Sequence, residues 1–165
     1  MKPERNQVFA QGLAAGLLGY ATVAVFFAIV NWFTGRSAFH TAALLGSALF
    51  YGLRDPAQLL IGPGPVLAYN GVHLIVFLFL GTVAAWLADL AERGPELWYV
   101  GAVVFIFMAF HMYGFFLMLT QPVRAALAPW WMLAAGALGC AAMGGYLLWI
   151  HPRIRSEIRH YPETT

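Results

Sequence analysis

Polar residues divide this chain into long apolar runs. Val8 to Phe33, Val66 to Leu90, Leu97 to Thr120 and Pro129 to Ile150 each exceed the roughly 20 residues that a helix needs to cross a hydrocarbon core. A segment surrounded by lipid must satisfy its own backbone N–H and C=O groups, so each run is expected to be an α-helix. Trp32, Trp86, Trp98, Trp130, Trp131 and Trp149 all fall near the ends of these runs. That is the aromatic-belt pattern of membrane–water interfaces. The expectation is an all-α integral membrane protein, a four-helix bundle of transmembrane segments forming one domain over residues 1–165.

A fifth apolar stretch, Ala38 to Leu53, is short for a crossing. It ends in Arg54-Asp55-Pro56 and leads into the rigid connector Ile61-Gly62-Pro63-Gly64-Pro65. Counting it as a span would put the two termini on opposite sides of the membrane. The basic residues favour the other solution. Lys2 and Arg5 precede the first run, Arg153, Arg155 and Arg159 follow the last, and both clusters prefer the cytoplasm. The expectation is therefore four spans, both termini cytoplasmic in a bacterial-type inner membrane, residues 34–65 outside, and Ala38–Leu53 as a surface or re-entrant helix. Ser37 is expected to cap that helix, with His40 in its first turn.

Small residues recur at intervals of four. Gly12 and Gly16, with Gly19 nearby, line the first run, and Gly136, Cys140 and Gly144 line the fourth. That spacing puts them on one face and lets helix backbones approach closely. Packing of the first span against the fourth inside one bundle is the plainer reading. Self-association, or contact with other membrane subunits through these faces, is the functional one.

Composition agrees with the pattern. The chain is 61% hydrophobic and only 10% charged, whereas a soluble domain carries about 25% charged residues. The net charge of +2 is scattered among loops and ends, with no stripe for nucleic acid. The single cysteine, Cys140, excludes an intrachain disulfide and a cysteine-based zinc cluster. The first apolar run is too long for a cleaved signal's apolar core and reads as a retained span. No Gly-rich phosphate loop, His-Glu-x-x-His or Gly-x-Ser-x-Gly is present, and the seven acidic residues lie mostly at boundaries. Hydrolytic chemistry has little to work with, and an enzyme is the less favoured reading.

Two histidines interrupt the apolar runs. His73 precedes Trp86 by 13 residues and His111 follows Trp98 by 13, across the polar turn Ala91–Glu96. At 1.5 Å per residue both imidazoles lie roughly 20 Å from that interface. An ionisable group at such depth asks for an explanation. Asn70 sits one turn before His73 on the same face. Tyr113 is close to His111, and His40, Tyr51, Arg54 and Asp55 belong to the outer segment above them.

Several accounts fit. His73 and His111, with His40 as a possible third ligand, have the chemistry to hold a haem or a transition metal between facing helices. A quinone pocket or a small carrier is another, although the inner halves of the spans offer few stations for a transport path. The plainest is that each histidine bonds a neighbouring carbonyl, tyrosine or asparagine and fixes helix register. His151 and His160 are expected at exposed positions. The leading functional expectation is a non-catalytic subunit or accessory protein of a larger membrane complex.

Overall fold

The computed structural model describes residues 5–94, 114 and 116–152. Within them the chain is all-α, in the order α1 (Arg5–Phe33), α2 (His40–Phe50), a 3-10 turn (Pro56–Gln58), α3 (Pro63–Arg93), α4 (Gln121–Ala126) and α5 (Pro129–Ile150). Three of these helices, α1, α3 and α5, are long and apolar enough to cross a membrane. The protein is thus an all-α, multi-span membrane protein. The third expected crossing, Leu97–Thr120, falls largely outside the described residues.

Local chemistry sets the helix boundaries. Gly35 has φ +70° just past α1; its N–H donates to the Trp32 carbonyl at 3.0 Å and the Arg36 N–H to the Asn31 carbonyl at 2.8 Å. This is a Schellman stop, and the left-handed backbone there favours glycine. Prolines open α3 and α5 at their first turns, where a missing N–H is harmless. Ser37 does not cap α2: Phe39 occupies that position, and Ser37 Oγ instead accepts a bond from the Phe39 N–H at 3.3 Å. Residues Asp55 and Pro56 begin the 3-10 turn, with Asp55 Oδ1 accepting from the Ala57 N–H at 3.0 Å.

The middle of the bundle is α1, which packs against both α3 and α5. Gly12 lies against Thr82, Gly16 against Phe77 and Leu78, and Tyr20 against Asn70, so α1 and α3 run antiparallel. Gly19 meets Met143, Val23 meets Gly139, and Phe26 meets Trp131, so α1 and α5 are antiparallel as well. It follows that α3 and α5 are parallel. The start of α1 and the finish of α5 share one end of the bundle, where Val8, Ala15, Ala85 and Leu147 pack together.

These contacts reassign the small-residue face of α1. Gly12 and Gly16 do not receive the last helix; they receive α3, at Gly81 and Thr82. A Cβ on Gly81 would collide with the Gly12 carbonyl and the Gly16 amide. Only Gly19 turns towards α5. The spacing identified the face correctly but could not name the partner, because α3 carries its own matching glycine.

The opposite end of the bundle has its own core. Leu44 and Leu45 of α2 pack with Leu119, Val123 and Leu127, against Tyr69 of α3 and Met132 of α5. Thr41, Ala43, Leu44, Leu45, Gly46 and Ser47 are all buried. The α2 helix is therefore wedged into protein rather than laid flat on lipid. Its eleven residues span about 16 Å, too little to cross. Gly46 makes the wedge possible, since a side chain there would collide with the Pro65 carbonyl.

Tryptophans mark both ends. Trp32 and Trp130 are 78% and 77% exposed near the α2 end, and Trp86 and Trp149 are 52% and 71% exposed near the other. Exposed rings at two levels are what interface anchoring requires.

Candidate functional site

Polar side chains gather at three levels of an otherwise apolar bundle. The middle level lies between α1 and α3. Tyr69, His73 and Phe77 are spaced four apart and form one stripe of α3. The His73 ring stacks on Tyr69 at 5.0 Å, meets Phe77 edge-on at 4.9 Å and lies 6.0 Å from Tyr20 of α1. Tyr69 Oη is 3.4 Å from His73 Nδ1. The other ring nitrogen, Nε2, is buried and has no hydrogen-bond partner among the described residues.

Beside this stripe, Tyr20 Oη donates to Asn70 Oδ1 at 3.0 Å, and Asn70 Nδ2 donates to the Val66 carbonyl at 2.8 Å. Asn70 and His73 do share a face, and the face is turned to α1. Tyr20 lies inside an apolar run and the hydropathy pattern does not single it out. The available signal was its position: it extends the four-residue spacing of Gly12 and Gly16, where the helix backbones are already close.

The level at the α2 end is a clasp between α1 and α2. Thr41 Oγ1 donates to Asn31 Oδ1 at 3.1 Å, and Asn31 Nδ2 donates to the Ala38 carbonyl at 3.2 Å. Asn31 is 3% exposed, so these bonds replace water almost completely. Nearby, Thr120 Oγ1 donates to the Arg54 carbonyl at 2.8 Å, tying the approach to α4 to the loop after α2.

The level at the opposite end joins α3 to α5. His151 Nδ1 lies 3.1 Å from Glu92 Oε1. His151 is only 4% exposed, which corrects the expectation of a solvated residue. It caps α5, with its N–H on the Leu147 carbonyl at 3.0 Å, and the end of α3 covers it. Asp89, one turn from Glu92, is buried too at 5% exposure.

The remaining candidates disperse. His40 opens α2, where partial burial, and then the Arg36 charge, hold its pKa below the usual imidazole value. Tyr51 ends α2 and is 61% exposed. Asp55 is exposed and engaged in its turn. Among the described residues no hydrogen bond, ion pair or ring contact links His40, Tyr51 or Asp55 to His73. His111 and Tyr113 lie outside the described residues. Among the described residues no group of three His, Cys, Asp or Glu side chains converges to hold a metal ion.

No family model, curated protein or solved structure matches this chain.

Proposed function

We propose that this protein is a four-span, non-catalytic subunit or accessory protein of a larger assembly in a bacterial-type cytoplasmic membrane, with both termini inside. The helix directions support four crossings. Since α3 and α5 are parallel, the end of α3 and the start of α5 lie at opposite ends of the bundle. The apolar run Leu97–Thr120 between them has the length of one crossing. The basic clusters before α1 and after α5 support the cytoplasmic placement of the shared end.

The subunit reading rests on α5. Its inward face is Ala135, Gly139, Met143 and Leu147, all buried. One position along, Gly136 and Cys140 are exposed, and a side chain at Gly136 or Gly144 would meet nothing within 4 Å among the described residues. Small residues facing outward leave a shallow groove where a neighbouring helix backbone can approach closely. Large apolar side chains would fill that surface equally well if lipid were its only neighbour.

Cys140 is the sole cysteine, so it reports on this face directly. Bifunctional crosslinking at Cys140 in native membranes, followed by purification in mild detergent, is expected to trap one defined partner subunit or a second copy. Gly136→Leu with Gly144→Leu is expected to abolish the adduct while the monomer stays folded. A clean monomer with uncrosslinked Cys140 overturns the proposal. Labelling that finds the termini on opposite sides overturns the four-span topology.

A further inference from the structure

Positive charge at the α2 end of the bundle is not balanced within the described protein. Arg36, Arg54 and Arg124 lie there, and Asp55 is the only acidic residue in the segments 34–65 and 114–128. Asp55 is engaged in its own turn, with Oδ1 on the Ala57 N–H. Among the described residues no carboxylate pairs with Arg54 or Arg124.

Arg124 borders an open groove of about 340 Å³, lined by Phe116, Leu117, Gln121, Arg124, Ala125 and Pro129. That volume lies within the roughly 300–1,000 Å³ typical of small-molecule pockets. Gln121 and Arg124 supply its polar side, and the other four residues are apolar. Leu117 is 50% exposed and Met118, beside it, is 82% exposed, so the apolar wall opens onto surface that meets hydrocarbon. Trp130, adjoining Pro129, is 77% exposed and marks this level as the membrane–water interface. A larger groove of about 450 Å³ runs between α1 and α5 along Val25, Ile29 and Leu138. Its one polar side chain, Thr22, is spent on the Leu18 carbonyl, so it has no means of selecting a headgroup.

Arg124 has a structural task as well. One guanidinium N–H donates to the Leu117 carbonyl at 3.2 Å. A guanidinium carries five N–H bonds in a planar fork, so donors remain for a second acceptor. Thr120 Oγ1 holds the Arg54 carbonyl at 2.8 Å, and α4 rests against the 3-10 turn that follows Arg54. A second arginine is thereby kept at the approach to α4. Phosphate oxygens match guanidinium donors in both geometry and charge.

We infer that this groove holds one anionic phospholipid. Its phosphate accepts from Arg124 and Gln121, Arg54 adds attraction from nearby, and one acyl chain lies along Phe116, Leu117 and Pro129. A net negative headgroup is selected over a zwitterionic one, because the ammonium of the latter would stand among arginines. The inference goes beyond the accessory reading and does not rest on it: the site belongs to the α2 end, whichever leaflet that end meets.

The test titrates the full chain, in mild detergent, with phosphatidylglycerol and reads the adducts by native mass spectrometry. One lipid is expected to bind, about tenfold more tightly than phosphatidylcholine with the same chains, and the preference is expected to shrink as salt rises. Arg124→Gln and Arg54→Gln are each expected to lower the preference about threefold. Arg36→Gln, outside the groove, is expected to leave it unchanged. Ala125→Trp fills the groove while keeping every charge, and is expected to remove the bound lipid. That variant keeps the proposal testable if Arg124→Gln loses its hold on Leu117 and unfolds. Equal retention of the two lipids, a preference unmoved by both arginine variants, or a lipid still bound to folded Ala125→Trp overturns the inference. Glycerol phosphate, which has no acyl chain, is expected not to compete. Competition at the lipid's own concentration assigns the site to free phosphate and overturns the lipid assignment.

Discussion

Gly81 of α3 rests directly on the backbone of Gly16 in α1, so close that a methyl group on Gly81 would meet the Gly16 amide and α-carbon. Backbone, unlike a flexible side chain, cannot move aside. Gly81→Ala is therefore expected to force α1 and α3 apart and to reduce stability by about 2 kcal/mol, the usual cost of overpacking. Gly145→Ala is the control, because its added methyl meets nothing within 4 Å among the described residues. That variant is expected to be neutral or up to about 1 kcal/mol more stable, from the better helix propensity of alanine. Reversible unfolding in detergent measures both.

Asn31 ties the end of α1 to α2 through two hydrogen bonds and is almost wholly buried. Asn31→Ala removes both bonds and strands the Thr41 hydroxyl. The expected loss is about 2 kcal/mol. Hydrogen exchange is expected to speed up first in α2, since the clasp holds that helix rather than the α1–α3 contact.

Stability is expected to depend on pH through His40. Its folded pKa lies below the ordinary 6.5, chiefly because burial disfavours the cation and secondarily because Arg36 repels it. Below pH 6.5 the unfolded chain thus binds more protons than the folded one, and stability falls as pH falls. The full contribution is present above that pH and is lost on descending towards the lowered folded value. His40→Gln is expected to flatten this slope, measured as the unfolding midpoint between pH 7.5 and about pH 5.

His151 and Glu92 join two parallel helices that otherwise touch little. His151→Ala leaves a Glu92 carboxylate half-hidden without its imidazole, with an expected loss of about 1 to 2 kcal/mol. Adding Glu92→Gln is expected to recover part of it, so the double variant loses less than the two single losses combined. Additive losses would show that the contact contributes nothing.

The long helices were legible because lipid imposes one requirement along a whole segment. Val66–Leu90 became Pro63–Arg93, and Pro129–Ile150 kept both boundaries. The short helix was legible as Ala38–Leu53 and became His40–Phe50, although its burial was not, since apolar residues look alike whether they face lipid or protein. Rotation about each helix axis was the missing quantity. Hydropathy does not encode it inside a membrane, where both faces are apolar. That is why Asn70 could be placed beside His73 but not against Tyr20, and why Gly12 and Gly16 were matched with α5. His151 was misplaced for a related reason. It follows the last apolar run, where residues usually meet water, and only the parallel course of α3 brings Glu92 down beside it.

The central position of α1 has a consequence for how the chain is made. Within this sequence α1 is made before the helices that assemble on it, and Met143 of α5 lies more than a hundred residues downstream of its partner Gly19. At about 5–20 residues per second, the surface of α1 around Gly19 and Val23 must wait some ten seconds for Met143 and Gly139. During that interval the nascent protein carries an uncovered groove into the membrane, and whatever escorts it there must shield backbone rather than side chains.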